Sequence, residues 1–352
     1  TPQVFLKPKF SDFEFLKSVR PPPPVHPYLV FMRFFTSLFA FIAAATIVAA
    51  APHKNHTMIL AEKAKNDKFV DAPTSHAAPQ NLPIKVDDLQ MAAAFAQQPY
   101  CWDQKIGTKV GDGEIVWTTG DGWINQRGTI ILSKSFGLVL AIQGTSATDT
   151  KGWIEDFSFL LNEPDERIRS KLESGSLVET GFQNAYLGLM DALIGGIKEM
   201  TKKYHKNKIT IVGHSLGAAI SQIAAVHVKT IWDDMLDRAI LFGLPRVGNV
   251  HWANSVDKLM KGQLYYVFNG EDIVGRVPPR AFGYQHPSGQ IWINPASSSH
   301  WKFYPGQENI NGQLSQLPTL DVITTHLGSY FGTLIGWGTA ICPAQVNNAP
   351  VN

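Results

Sequence analysis

The sequence predicts an α/β fold built on a mostly parallel sheet, and three observations carry that prediction. Short β-branched stretches such as 208–212 alternate with helix-forming stretches such as 181–204, the pattern of strand–helix–strand units. Gly213-His214-Ser215-Leu216-Gly217 joins one such strand to a run of small helix formers at 218–226. The chain has 352 residues, 44% of them apolar, enough for one large domain with extra segments.

Along the chain, residues 1–31 precede the first methionine of the sequence and include four consecutive prolines; they read as an upstream extension without function. Met32-Arg33 then opens an apolar run that closes on Val48-Ala49-Ala50. A basic residue, an apolar core and a small-residue end are the layout of a signal peptide over 32–50, cleaved before Ala51. A membrane anchor is the alternative, since the run approaches the roughly 18–20 residues a span needs. Residues 51–84 are polar, with prolines at 52, 73, 79 and 83, and read as a pro-segment or linker. The domain proper is expected over 85–352. It starts with a helix at 89–98, followed by strands around 115–117, 129–132 and 136–142. The long helix 181–204, the strand 208–212 and the helix after Ser215 come next. Asp233, Asp234 and Asp237 read as the solvated end of that helix, and 264–268 as a further strand.

The chemistry centres on Ser215. A serine on a sharp strand-to-helix turn presents its hydroxyl over the sheet edge, and the following backbone N–H can donate to an oxyanion, as in α/β-hydrolase folds. The hydroxyl is a weak nucleophile until a base takes its proton and a carboxylate orients that base. In this fold the order is serine, acid, histidine, so both partners lie downstream. Asp272 follows the strand 264–268 and the turn Asn269-Gly270, at the end of the sheet where open α/β sheets assemble their sites. Its neighbour Glu271 is a rival that spacing alone does not exclude. The candidate bases are His227, His251, His286, His300 and His326; His326 is favoured by its place near the chain end, with His286 second. Thr145 follows the strand 136–142 and the turn Gln143-Gly144, also at a strand end. The formal charge of +2 and the scattered Lys and Arg speak against nucleic acid, and no metal-ligand spacing is present in the sequence.

Five stretches together resemble the fungal class 3 lipases, the family of the Rhizomucor triacylglycerol lipase. They are residues 142–146, the Ser215 elbow, 242–249, 269–279 and 326–332, within a resemblance covering about 85–342. Pro245-Arg246-Val247-Gly248-Asn249, His286-Pro287-Ser288-Gly289 and residues 305–309 are most similar to basidiomycete members. The resemblance implies an α/β-hydrolase fold with helices on both faces and a short lid. It implies Asp272 as the orienting acid, His326 as the base, and an oxyanion hole from Thr145 and Leu216. It implies a lid over 146–155, polar in its first half, and a secreted enzyme in which Cys101 and Cys342 are joined. Trp153, Phe159, Val274, Ile323 and Leu327 are the expected acyl-binding residues. The expected substrate is an acylglycerol or other ester at a lipid–water interface, with no cofactor, no metal and no stable protein partner. Feruloyl or carotenoid esters are alternatives on the same scaffold. A non-catalytic lipid-binding relative is a third reading, disfavoured by the complete set of five catalytic positions.

Overall fold

Nine strands of one sheet follow each other across the molecule in the order in which they occur in the chain, in a computed structural model that describes residues 74–123, 125–146, 159–338 and 341–348. They are β1 Lys109–Val110, β2 Gly113–Thr119, β3 Gly128–Ser133, β4 Gly137–Ile142, β5 Ile209–His214, β6 Leu236–Phe242, β7 Leu264–Asn269, β8 Gln290–Ile293 and β9 Trp301–Tyr304. Neighbours from β1 to β4 are antiparallel and joined by short turns. From β4 to β8 they are parallel, and β9 closes the edge antiparallel to β8.

Parallel neighbours need a long crossover, and helices supply three of them. With α1 as Val86–Gln97, these are α2 Thr180–Lys203, α3 Leu216–Ile231 and α4 Val250–Met260. The strands are added successively on one side, and with the right-handed crossover that parallel units almost always adopt, all three helices fall on one face of the sheet, where their side chains share one core. Leu138, Leu140, Ile142, Ile209 and Ile211 pack toward them. The alternate residues Val139, Ala141, Val212, Ile240 and Val267 face the other way, against α1 and the segment from Tyr330 to Ala344. With both faces covered, the central strands have no solvent side, which is why Ile209, Thr210, Ile211 and Val212, all β-branched, are all buried.

The second face is fastened in two ways. Cys101 and Cys342 form a disulfide across 241 residues of sequence, a closure of the kind that contributes about 2–5 kcal/mol. The C-terminal segment has little regular structure, so side chains from the last residue of α1 and the residue after it serve its backbone. Gln97 Oε1 accepts from Gly336 N–H, and Gln98 Oε1 accepts from Ala344 N–H.

Two sequence expectations look different here. The linker expected over 51–84 is described from residue 74, where it runs along the sheet edge; Gln80 and Phe303 exchange backbone hydrogen bonds of 2.8 and 3.0 Å. Asp237 is not part of a helix end but sits in β6, bonded to Arg238, because the apolar run 239–242 that follows them pairs parallel with β5. Residues 1–73, with the extension and signal peptide expected there, lie outside the described residues. So does the expected lid from residue 147 onward, Trp153 included.

Candidate active site

β5 ends at His214 and α3 begins at Leu216, which leaves Ser215 alone in the turn with φ 59° and ψ −132°. A side chain at positive φ costs about 1–3 kcal/mol and persists only where its surroundings hold it. Here Ser215 N–H donates to Phe242 O at 3.0 Å, and the N–H groups of Ala218 and Ala219 return to the Ser215 carbonyl. Gly217 lets α3 start hard against β4, since a Cβ there would lie 2.3 Å from the Ile142 carbonyl oxygen. The serine is fully buried, and its Oγ has no hydrogen-bond partner among the described residues.

The acid and the base come from two loops that β7 ties together. Past the end of β7, Asp272 is fully buried; its Oδ1 accepts from Val274 N–H at 2.9 Å. Its Oδ2 lies 2.8 Å from His326 Nδ1, and His326 is also fully buried. A carboxylate only accepts, so Nδ1 carries the proton, and in the neutral ring Nε2 is the free base. That Nε2, like Ser215 Oγ, has no partner among the described residues. The last residue of β7, Asn269, donates through Nδ2 to the carbonyls of Thr325 and Thr324 and so holds the histidine loop beside the acid. The imidazole rests on Gly243, whose φ is 54° and where a Cβ would meet His326 Cε1 at 2.6 Å. Glu271, the rival acid, gives its backbone carbonyl to Thr319 N–H.

A buried polar chain connects these parts, and its side chains from Tyr100, His214 and Tyr330 were not singled out in the sequence as functional. His214 Nε2 is 2.9 Å from the His326 carbonyl, which can only accept, so His214 carries its proton on Nε2. Burial, with the neighbouring His326 adding to it, holds His214 well below the ordinary histidine range and keeps it neutral. Its Nδ1 is therefore an acceptor, and Tyr100 Oη, 3.0 Å away, donates to it. The same Tyr100 oxygen accepts from Gly144 N–H at 3.1 Å, and Tyr330 donates to the His326 carbonyl. One chain thus joins the turn before Thr145, the elbow and the histidine loop. His214 lies inside the serine motif, so that motif was a usable signal; Tyr100 has none, since its partner is 114 residues away. Tyr100→Phe should cost about 1–3 kcal/mol in urea denaturation by leaving Gly144 N–H and His214 Nδ1 unpaired. kcat should fall about tenfold with KM little changed, and an unaltered kcat would mean that the chain serves stability alone.

Thr145 and Leu216, the expected oxyanion donors, come from adjacent elements. A Cβ on Gly144 would lie 2.3 Å from the His214 carbonyl, so the turn carrying Thr145 packs directly on the elbow. Leu216 is the first residue of α3, where backbone N–H groups have no helical partner and the helix dipole favours negative charge. The expected acyl-binding residues are less uniform. Phe159 is half-buried and stacked on Phe282 at 5.5 Å, Ile323 is exposed, and Val274 and Leu327 are buried. Among the described residues there is no group of three or more His, Cys, Asp or Glu placed to hold a metal.

Behind the acid loop, the three stretches that resemble basidiomycete members meet. Arg246, from the first, forms a buried ion pair with Glu308, from the third, at 2.6 and 3.0 Å. His286, from the second, donates its backbone N–H to the same carboxylate at 2.7 Å. Arg246 also donates to the carbonyls of Arg276 and Pro278, pinning the loop that leaves Asp272. His286, the second candidate base in the sequence, bonds through Nε2 to the Gly275 carbonyl at 3.0 Å.

With this geometry in hand, residues 139–282 match the family described as Lipase (class 3). A secreted mono- and diacylglycerol lipase of Malassezia restricta is 43% identical over 280 residues, covering 80% of this chain and 93% of that protein. One from Malassezia globosa is 41% identical over 275 residues, with 78% and 90% coverage. Among solved structures, the Lip2 lipase of Yarrowia lipolytica superposes with a TM-score of 0.65 at 25% identity, over 75% of this chain and 98% of that one. A lipase of Rhizopus microsporus var. chinensis gives a TM-score of 0.62 at 23% identity, over 77% and 95%.

Proposed function

The chain belongs to the fungal class 3 lipase family, and from that premise we propose that it hydrolyses acylglycerol esters with Ser215, His326 and Asp272 as its triad. Membership makes it a serine carboxylic ester hydrolase, and the relatives it matches are secreted proteins. The finer reading rests chiefly on the 2.8 Å contact between Asp272 Oδ2 and His326 Nδ1, buried beside the Ser215 turn.

In this reading Ser215 Oγ attacks the acyl carbon while His326 Nε2 takes the hydroxyl proton. The negative charge moves to the carbonyl oxygen, where the N–H groups of Leu216 and Thr145, and the Thr145 hydroxyl, receive it. One such preorganised donor is typically worth about 3–4 kcal/mol. Collapse breaks the ester bond, and the alcohol leaves with the proton from Nε2. Water then attacks the acyl-enzyme by the same route and releases the acid. Asp272 keeps Nδ1 protonated and the ring in place, and stays ionised throughout. The steps need no metal and no organic cofactor.

The relatives are named for mono- and diacylglycerols, whereas the sequence resemblance implied a triacylglycerol lipase. Purified protein should therefore be assayed on mono-, di- and triolein beside methyl ferulate. Turnover of at least one glyceride well above methyl ferulate is expected; ferulate as the fastest substrate would overturn the acylglycerol reading. Labelling with a fluorophosphonate and peptide mapping should place the adduct on Ser215.

A further inference from the structure

Trp102 and Trp123 are the two exposed tryptophans among the large apolar side chains of the described residues, at 65% and 75% exposure, and they touch. Their rings meet edge to face at 5.2 Å and 83°. Neither belongs to the triad, the oxyanion turn or the expected lid. Exposed tryptophans on a loose loop would need no explanation, but these are held. Arg127, 9% exposed, donates through Nη1 to the carbonyls of Pro99 and Cys101 and through Nη2 to that of Asp121. One buried guanidinium thus binds together the segments that carry the two rings. Asp121 Oδ1 accepts from Trp123 N–H at 2.8 Å, and the edge of Trp102 lies against Gly338.

Their position decides what they can meet. The segment that carries Trp123 leads into β3 at Gly128, which pairs with Ile142 at the C-terminal end of β4, the end from which Thr145 and Ser215 emerge. Gln143 joins the two, its Oε1 accepting from Arg127 N–H. On the acid side of the same sheet end, Leu317, Leu320 and Ile323 are exposed at 87%, 50% and 55%, in the stretch where Thr319 bridges to Asp272. Apolar side chains therefore flank the catalytic end on both sides. The nearby charges are balanced, since Asp103 pairs with Lys105, and the Asp121 carboxylate lies close enough to the Arg127 guanidinium to interact with its charge.

We propose that the Trp102–Trp123 pair is an anchor that docks the protein on the surface of an uncharged lipid aggregate, separately from the expected lid. Indole rings favour the boundary between water and lipid, where an apolar body and a polar N–H are both satisfied. A locally neutral patch suits the surface of glycerides and zwitterionic lipid better than an anionic one, whose attraction would be screened by salt. This rests on the reading of the chain as an acylglycerol hydrolase.

The test is flotation of the Ser215→Ala protein with diolein–phosphatidylcholine emulsion, compared with the same protein carrying Trp102→Ala and Trp123→Ala. The double substitution is expected to weaken partitioning at least tenfold, equally at low and high salt, and Trp123→Ala alone by part of that. In the protein with Ser215 intact, the same substitutions should leave hydrolysis of dissolved p-nitrophenyl butyrate unchanged while raising the emulsion needed for half-maximal rate. Unchanged partitioning overturns the anchor, as does a parent dimer that the substitutions turn into monomer on gel filtration. Failure of the unsubstituted protein to hydrolyse the dissolved ester would overturn the catalytic reading instead, and flotation would still decide the anchor.

Discussion

Ser215→Ala should abolish ester hydrolysis, with kcat down by roughly 10⁶-fold, while the thermal unfolding midpoint stays close to that of the parent. Removing the Oγ takes away the proposed attacking atom without leaving a broken hydrogen bond, because that atom has no partner among the described residues. His326→Ala should be nearly as severe. Asp272→Asn should lower kcat by roughly 10⁴-fold, since an amide can donate to Nδ1 and favour the wrong tautomer. Glu271→Gln separates the two acids that the sequence left side by side. It should cost little, because Asp272 is the carboxylate at His326. Equal losses from Glu271→Gln and Asp272→Asn would remove Asp272 from its proposed role.

Arg246→Ala should destabilise the protein by about 3–5 kcal/mol, measured by urea denaturation at neutral pH. The loss comes from leaving Glu308 charged and buried without its partner. Replacing both residues, Arg246→Met with Glu308→Leu, should recover much of it, because the desolvation of both charges is then removed. If the double variant is as unstable as the single, the hydrogen bonds from Arg246 to Arg276 and Pro278 carry the effect. The same cluster sets a pH dependence. Burial alone would raise the Glu308 pKa, but the Arg246 charge and hydrogen bonds, with His286, lower it to about 2. A lowered folded value means a contribution present above the usual 4.5 and lost as pH falls toward 2. Burial pushes His286 down to about 4, so the folded state keeps it neutral where the unfolded chain would protonate it. That contribution is present above the usual 6.5 and is lost as pH falls to about 4. Acid destabilisation should therefore begin near pH 6.5, and His286→Gln should flatten its first part.

The Ser215 turn was legible because its requirements are local. A buried strand, a glycine on each side and small helix formers all lie within a short window, and the structure has that strand and helix around a serine at positive φ. Asp272 was legible as the end of a strand, but its preference over Glu271 was not, since adjacent residues differ only in which one turns inward. The resemblance supplied that choice, and with it the pairing of Cys101 and Cys342.

What the sequence by itself determined is the alternation of strands and helices, the elbow and the chemistry its serine can do, because these follow from residue type at short spacing. The tertiary structure alone decided how the parts are held. Tyr100 reaches His214 across 114 residues, Arg246 reaches Glu308 across 62, and Gly243 makes room for an imidazole that arrives from His326. No local pattern marks such residues, because a buried hydrogen bond depends on which segments the sheet brings together. Strand pairing fixes those neighbours, with the crossover helices packed on one face of the sheet and α1 on the other.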